Sequence, residues 1–82
     1  MGKKIFDSVM SGTADSNIRF NSFVNLIQRL DFVFQRQNGS HAVYYNTYIR
    51  EFMNVQKDGS KAKAYQVEQL RKLILKYGLK EK

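Results

Sequence analysis

Apolar residues fall along this chain with two different periods, and the changes of period mark out its elements. Ile5, Phe6, Val9 and Met10 recur at helical spacing and predict a short N-terminal helix that stops near Ser11-Gly12. The small, polar stretch Ser11 to Asn17 reads as a linker, which divides the chain into residues 1–17, a helix with its linker, and residues 18–82, the domain proper. Ile18-Arg19-Phe20 reads as a short extended lead-in. Asn21 is a suitable N-cap, and Phe23, Val24, Leu26, Ile27 and Leu30 then predict a first main helix over about Ser22 to Leu30. Asp31 follows where a left-handed capping residue belongs.

Beyond Asp31 the period drops to two. Phe32 to Gln37 is aromatic and β-branched, Asn38-Gly39 supplies a tight turn, and Ser40 to Tyr45 is the returning strand. Glu51 to Gln56 alternates as a third strand, with Met53 and Val55 on one face and Phe52 and Asn54 on the other. Lys57 to Lys63 is a basic loop with a second turn signal at Asp58-Gly59. Val67, Leu70, Leu73, Ile74 and Tyr77 form the inward stripe of a last helix that ends at Gly78. Helix, three strands and helix define an α+β class. Both helices on one face of an antiparallel three-stranded sheet would bury both apolar stripes in one core.

Composition narrows the possibilities. A chain of 82 residues without cysteine has one small core, no disulfide framework and no thiol chemistry. No apolar run reaches signal-peptide or membrane-spanning length, so no membrane association is expected and the cytoplasm is the expected location. Fourteen Lys and Arg against seven Asp and Glu give a net charge of +7. The excess is concentrated at the C-terminal end: residues 57–82 hold eight basic and three acidic side chains. A polyphosphate backbone is a natural partner for such a field, although plain solubility accounts for it equally well.

His41 is the one histidine. Strand alternation places it on one face with Val43 and Tyr45, and an inward Val43 would carry His41 toward the helices, partly buried. Histidine titrates near neutrality, as a general acid or base must to move the proton of a ribose 2′-hydroxyl or of a departing 5′-oxygen. A packed, hydrogen-bonded histidine is the simpler alternative. Seven scattered acids and one histidine offer no recognisable metal constellation, so hydrolysis without metal or other cofactor is expected. Arg36, Lys57, Lys61 and Lys63 are candidates for holding phosphate, with Ser40 beside the histidine and Arg71 on the basic last helix as further RNA contacts. Tyr44, Tyr48 and Phe52 are aromatics that could stack on bases or pack in the core.

Gly39-Ser40-His41 after an aromatic strand, the loop Gly59-Ser60-Lys61-Ala62-Lys63, and the ending Val67 to Leu79 together resemble the HicA family of toxins from bacterial toxin–antitoxin pairs. The likeness covers about residues 18–79. It implies a double-stranded-RNA-binding-domain-like fold and a ribosome-independent mRNA interferase, an endoribonuclease whose catalytic residue would be His41. It also implies an mRNA substrate and a HicB-type antitoxin as protein partner. Ala42 departs from the pattern, standing where many members carry a second histidine, and Asp31 stands where a glycine is common. The first departure puts full activity in doubt, and two alternatives stay open: a non-catalytic RNA-binding module of the same fold, for which a basic loop and helix suffice, or a weakened toxin acting mainly through its antitoxin complex.

Overall fold

The computed structural model describes residues 2–81, with the side chains of Gly2 and Lys3 excepted. In chain order, α1 spans Gly2–Ser11, a 3₁₀ turn Asp15–Asn17, α2 Phe20–Arg29, β1 Val33–Asn38, β2 His41–Asn46, β3 Glu51–Val55, β4 Lys57–Asp58, β5 Lys61–Ala62 and α3 Ala64–Tyr77. β1, β2 and β3 form an antiparallel meander with β2 in the centre, and β4 and β5 form a separate small hairpin. This is the small α+β domain that the change of period predicts. The Lys57–Lys63 loop proves to be that hairpin, and Arg19 bridges to Lys61 at its side.

α2 begins two residues before the expected start. Its N-cap is the extended Arg19, which makes no side-chain capping bond, and Asn21 lies inside the first turn. The Phe20 N–H is taken instead by the Ser60 carbonyl of the small hairpin, so a tertiary partner replaces the local cap. The helix ends as expected, with Asp31 at φ +75°. α3 stops at Gly78, whose φ of +64° lets its N–H reach the Ile74 carbonyl at 2.8 Å.

The core lies between the helices and one face of the sheet. Phe23, Leu26 and Ile27 of α2 meet Val67, Leu70 and Ile74 of α3 over Tyr44, Met53 and Val55. α1 is part of this core, because Val9 is fully buried in the same cluster and Ile5, Phe6 and Met10 pack against it. Residues 1–17 therefore share a core with residues 18–82. Tyr77, expected on the inward stripe of α3, is exposed at the rim, where its hydroxyl donates to Glu51 Oε2 at 2.7 Å.

Two buried polar side chains fix the connections. Asn46 donates from Nδ2 to the Leu30 carbonyl at 2.8 Å, and its Oδ1 accepts the N–H groups of Tyr48 and Ile49, so one side chain ties the end of α2 to the β2–β3 turn. Gln66 Oε1 accepts the Gln56 N–H at 2.9 Å and joins α3 to the end of β3. Both satisfy backbone groups that would otherwise be buried without partners.

Candidate functional site

The register of the meander decides which side chains can act together. Opposed residues share a face, so Ala42, Tyr44 and Asn46 of β2 lie with Val55, Met53 and Glu51 on the helix side. His41, Val43 and Tyr45 lie on the outer side. The expectation that Val43 carries His41 inward is thus corrected. Tyr44, with the larger apolar surface, takes the core position, and period-two alternation sends His41 to the open face. Val43 is nevertheless only 6% exposed, shielded within that outer layer rather than by the helices.

A β-bulge between Phe34 and Arg36 adds one residue to β1. Regular alternation would have placed Arg36 with Phe34 on the helix side. With the bulge, Arg36 stands opposite Val43 and Asn38 opposite His41, both on the outer face, while Phe34 and Gln37 remain on the helix side opposite Tyr44 and Ala42. The result is a surface at the turn end of the sheet that brings together His41, Arg36, Asn38 and Asn54, with the Tyr45–Phe52 ring pair (centroids 4.5 Å apart) behind them. Phe52 and Val33 are 54% and 60% exposed there. No carboxylate belongs to this layer of the described strands. Asn54 was legible from its alternation with Met53, whereas the roles of Asn38 and Arg36 required the bulge.

His41 is partly buried, and its imidazole forms no hydrogen bond among the described residues. Neither ring nitrogen is committed to a described partner. Ser40 precedes it in the β1–β2 turn, where Gly39 at φ +64° makes the reversal, and Ser40 Oγ accepts from Gln56 Nε2 at 3.1 Å. That bond ties the turn to the chain just before Lys57, so Ser40, His41 and Lys57 gather at one end of the sheet. Lys57 is exposed on the helix side, its ammonium 5.5 Å from the Phe20 ring centroid.

The remaining basic candidates are dispersed. Lys61 donates to Asn17 Oδ1 at 2.6 Å, and Lys63 is the extended residue that precedes α3. Arg71 does not join the site. Its guanidinium grips both oxygens of Asp15 at 2.8 and 2.9 Å and donates to the Val9 carbonyl at 2.9 Å, which clamps α1 and the linker onto α3. The paired hydrogen bonds hold the Asp15 carboxyl below its usual range, against the opposing effect of burial, and raise Arg71 in turn. Tyr44 is core and Tyr48 is an exposed turn residue, so of the proposed stacking aromatics only Phe52 shares a face with His41.

Other carboxylates are similarly engaged: Glu81 with Arg29, Glu68 with Lys72 and Glu51 with Tyr77. Among the described residues no three His, Cys, Asp or Glu side chains converge as a metal site would require, and no helix is long and apolar enough to cross a membrane. No protein-family model, curated protein or solved structure matches the chain.

Proposed function

We propose that this chain is a HicA-like mRNA interferase with a double-stranded-RNA-binding-domain-like fold, cutting RNA without metal through proton transfer by His41. The observation that carries this reading is the imidazole itself, without a hydrogen-bond partner among the described residues and set beside Arg36 on a sheet face where the described strands place no acid. In the reaction, the 2′-hydroxyl of the substrate ribose attacks the adjacent phosphorus and the P–O5′ bond breaks. A proton leaves the 2′-oxygen and another reaches the 5′-oxygen, so the products carry a 2′,3′-cyclic phosphate and a 5′-hydroxyl. His41 acts as general base or general acid in this exchange, and Arg36 neutralises charge on the phosphate. Asn38 and Asn54, its neighbours on the face, are placed to orient the ribose or phosphate.

The same face supports the second half of the resemblance. Val33 and Phe52 leave apolar surface exposed around the site, and a HicB-type antitoxin seated there would cover His41. A cytoplasmic toxin–antitoxin pair is the setting this implies.

Incubating the protein with mRNA in EDTA, beside His41→Ala, tests the enzyme reading. Loss of a general acid or base lowers the rate by about 100-fold or more. Cleavage that survives the substitution removes His41 from the mechanism, and cleavage abolished by EDTA removes the metal-free reaction. Tight, salt-dependent RNA binding with no cleavage by the unsubstituted protein favours the non-catalytic module, a reading supported by the lack of any Asp, Glu or second His on the His41 face among the described strand residues.

A further inference from the structure

The helix side of the sheet is incompletely covered. α2 and α3 close over β2 and β3, but every residue of β1 is exposed, and a groove of about 710 Å³ runs between α2 and the β1–β2 hairpin. That volume is in the range of small-ligand sites. Its lining is chemically mixed. Phe20 from α2 and Phe34 and Tyr44 from the sheet supply aromatic surface. Asn21, Asn25, Gln37 and Gln56 supply four side-chain amides. Among the described residues, Lys57 is the one charged member of the lining and no carboxylate contributes to it.

Several of these polar groups have capacity left over. Gln37 donates from Nε2 to the Gly39 carbonyl at 3.0 Å, which fixes the amide, and its oxygen has no partner among the described residues. Tyr44 is nine-tenths buried, and its hydroxyl has no hydrogen-bond partner among the described residues. The Asn21 and Asn25 amides likewise make no side-chain bond among the described residues. Amides offer paired donors and acceptors that match a base edge, aromatic faces stack on any base, and an ammonium suits a phosphate. Ala42 makes the floor small; it and Ser40, which also lines the groove, flank His41 in the chain, and His41 is on the opposite face of β2.

We infer that this groove binds one nucleotide unit of single-stranded RNA, its base against Phe34 and Tyr44, its edge read by Gln37 and Asn25, and its phosphate at Lys57. The inference rests on the RNA reading above and supplies what that reading lacks, a source of base preference. The strand would pass over the β1–β2 turn, with the recognised base on the helix side and the scissile phosphate on the outer side near His41.

The test uses ¹⁵N-labelled His41→Ala protein, which is not expected to cut RNA. It is titrated separately with inorganic phosphate, with each of the four ribonucleoside 5′-monophosphates and with short single-stranded RNA. The side-chain amide signals of Asn25 and Gln37 should move with nucleotides and RNA but not with phosphate alone, and more for one base than for the others. In that background Gln37→Ala should weaken binding of the preferred nucleotide about tenfold. Ala42→Leu, which fills the floor without touching the outer face, should abolish the amide shifts while the dispersed spectrum of a folded protein persists. If Ala42→Leu unfolds, Phe34→Ala at the exposed wall takes its place.

Shifts confined to Arg36, Asn38 and Tyr45, or equal responses to phosphate and nucleotide, overturn the inference. Its failure is separable from that of the enzyme reading. Cleavage by otherwise unsubstituted protein with undiminished rate and base preference in Gln37→Ala and Ala42→Leu sinks the groove and leaves the enzyme intact. Nucleotide-dependent groove shifts without any cleavage by the unsubstituted protein do the reverse.

Discussion

At the scale of single residues, the polar side chains that matter most for folding are those that alternation alone would pass over. Asn46 looks in sequence like a turn residue after a strand. In the fold it is buried and satisfies three backbone groups from two connections. Asn46→Ala leaves those groups without their partner and is expected to cost about 2–4 kcal/mol, read as a lower urea midpoint with an unchanged slope. A stability loss within error of zero would mean that water replaces the amide there. His41 presents the opposite case. Its identity as the one titratable candidate was legible from composition, but its face was not, because Val43 and Tyr44 were both acceptable core residues and only packing chose Tyr44.

At the scale of elements, the three strands of the main sheet, the last helix and the left-handed stops at Asp31 and Gly78 followed from period and turn chemistry. Besides the β4–β5 hairpin and the start of α2, two features did not. The bulge in β1 leaves no trace in a run that reads Val-Phe-Gln-Arg-Gln-Asn, yet it moves Arg36 to the face of His41 and leaves Gln37 in the groove. The polar linker set α1 apart from the domain proper in sequence, and the burial of Val9 together with the Arg71–Asp15 clamp makes it part of the core. That clamp has a pH signature. The Asp15 carboxyl is held below its ordinary value in the folded state, so its contribution is complete above the unfolded value near 3.8 and is lost as pH falls through the lower folded value. The stability difference between the protein and Asp15→Asn should be constant from neutrality to about pH 5 and shrink below about pH 4. A difference that does not depend on pH in the acid range would show that the ion pair contributes nothing.

At the scale of the whole molecule, a net charge of +7 with its excess in residues 57–82 first suggested a polyanion partner at the C-terminal end. The fold separates basic groups that are available from those that are engaged. Arg36 and Lys57 flank the His41 end of the sheet, whereas Arg71 is occupied by Asp15 and Arg29 by Glu81. Affinity for single-stranded RNA should therefore fall steeply with salt, and Arg36→Ala should reduce the slope of log K against log salt by about 0.7, the value of one phosphate contact. Arg71→Ala, measured well below its melting temperature, should leave that slope unchanged. An equal loss from both variants would indicate a diffuse field rather than a defined contact. The central claim concerns chemistry, and the end groups of the products test it most directly. RNA fragments made in EDTA, analysed by mass, should carry 2′,3′-cyclic phosphate and 5′-hydroxyl ends and should be missing from the His41→Ala digest; 3′-hydroxyl and 5′-phosphate ends, or the same fragments from His41→Ala, would contradict it.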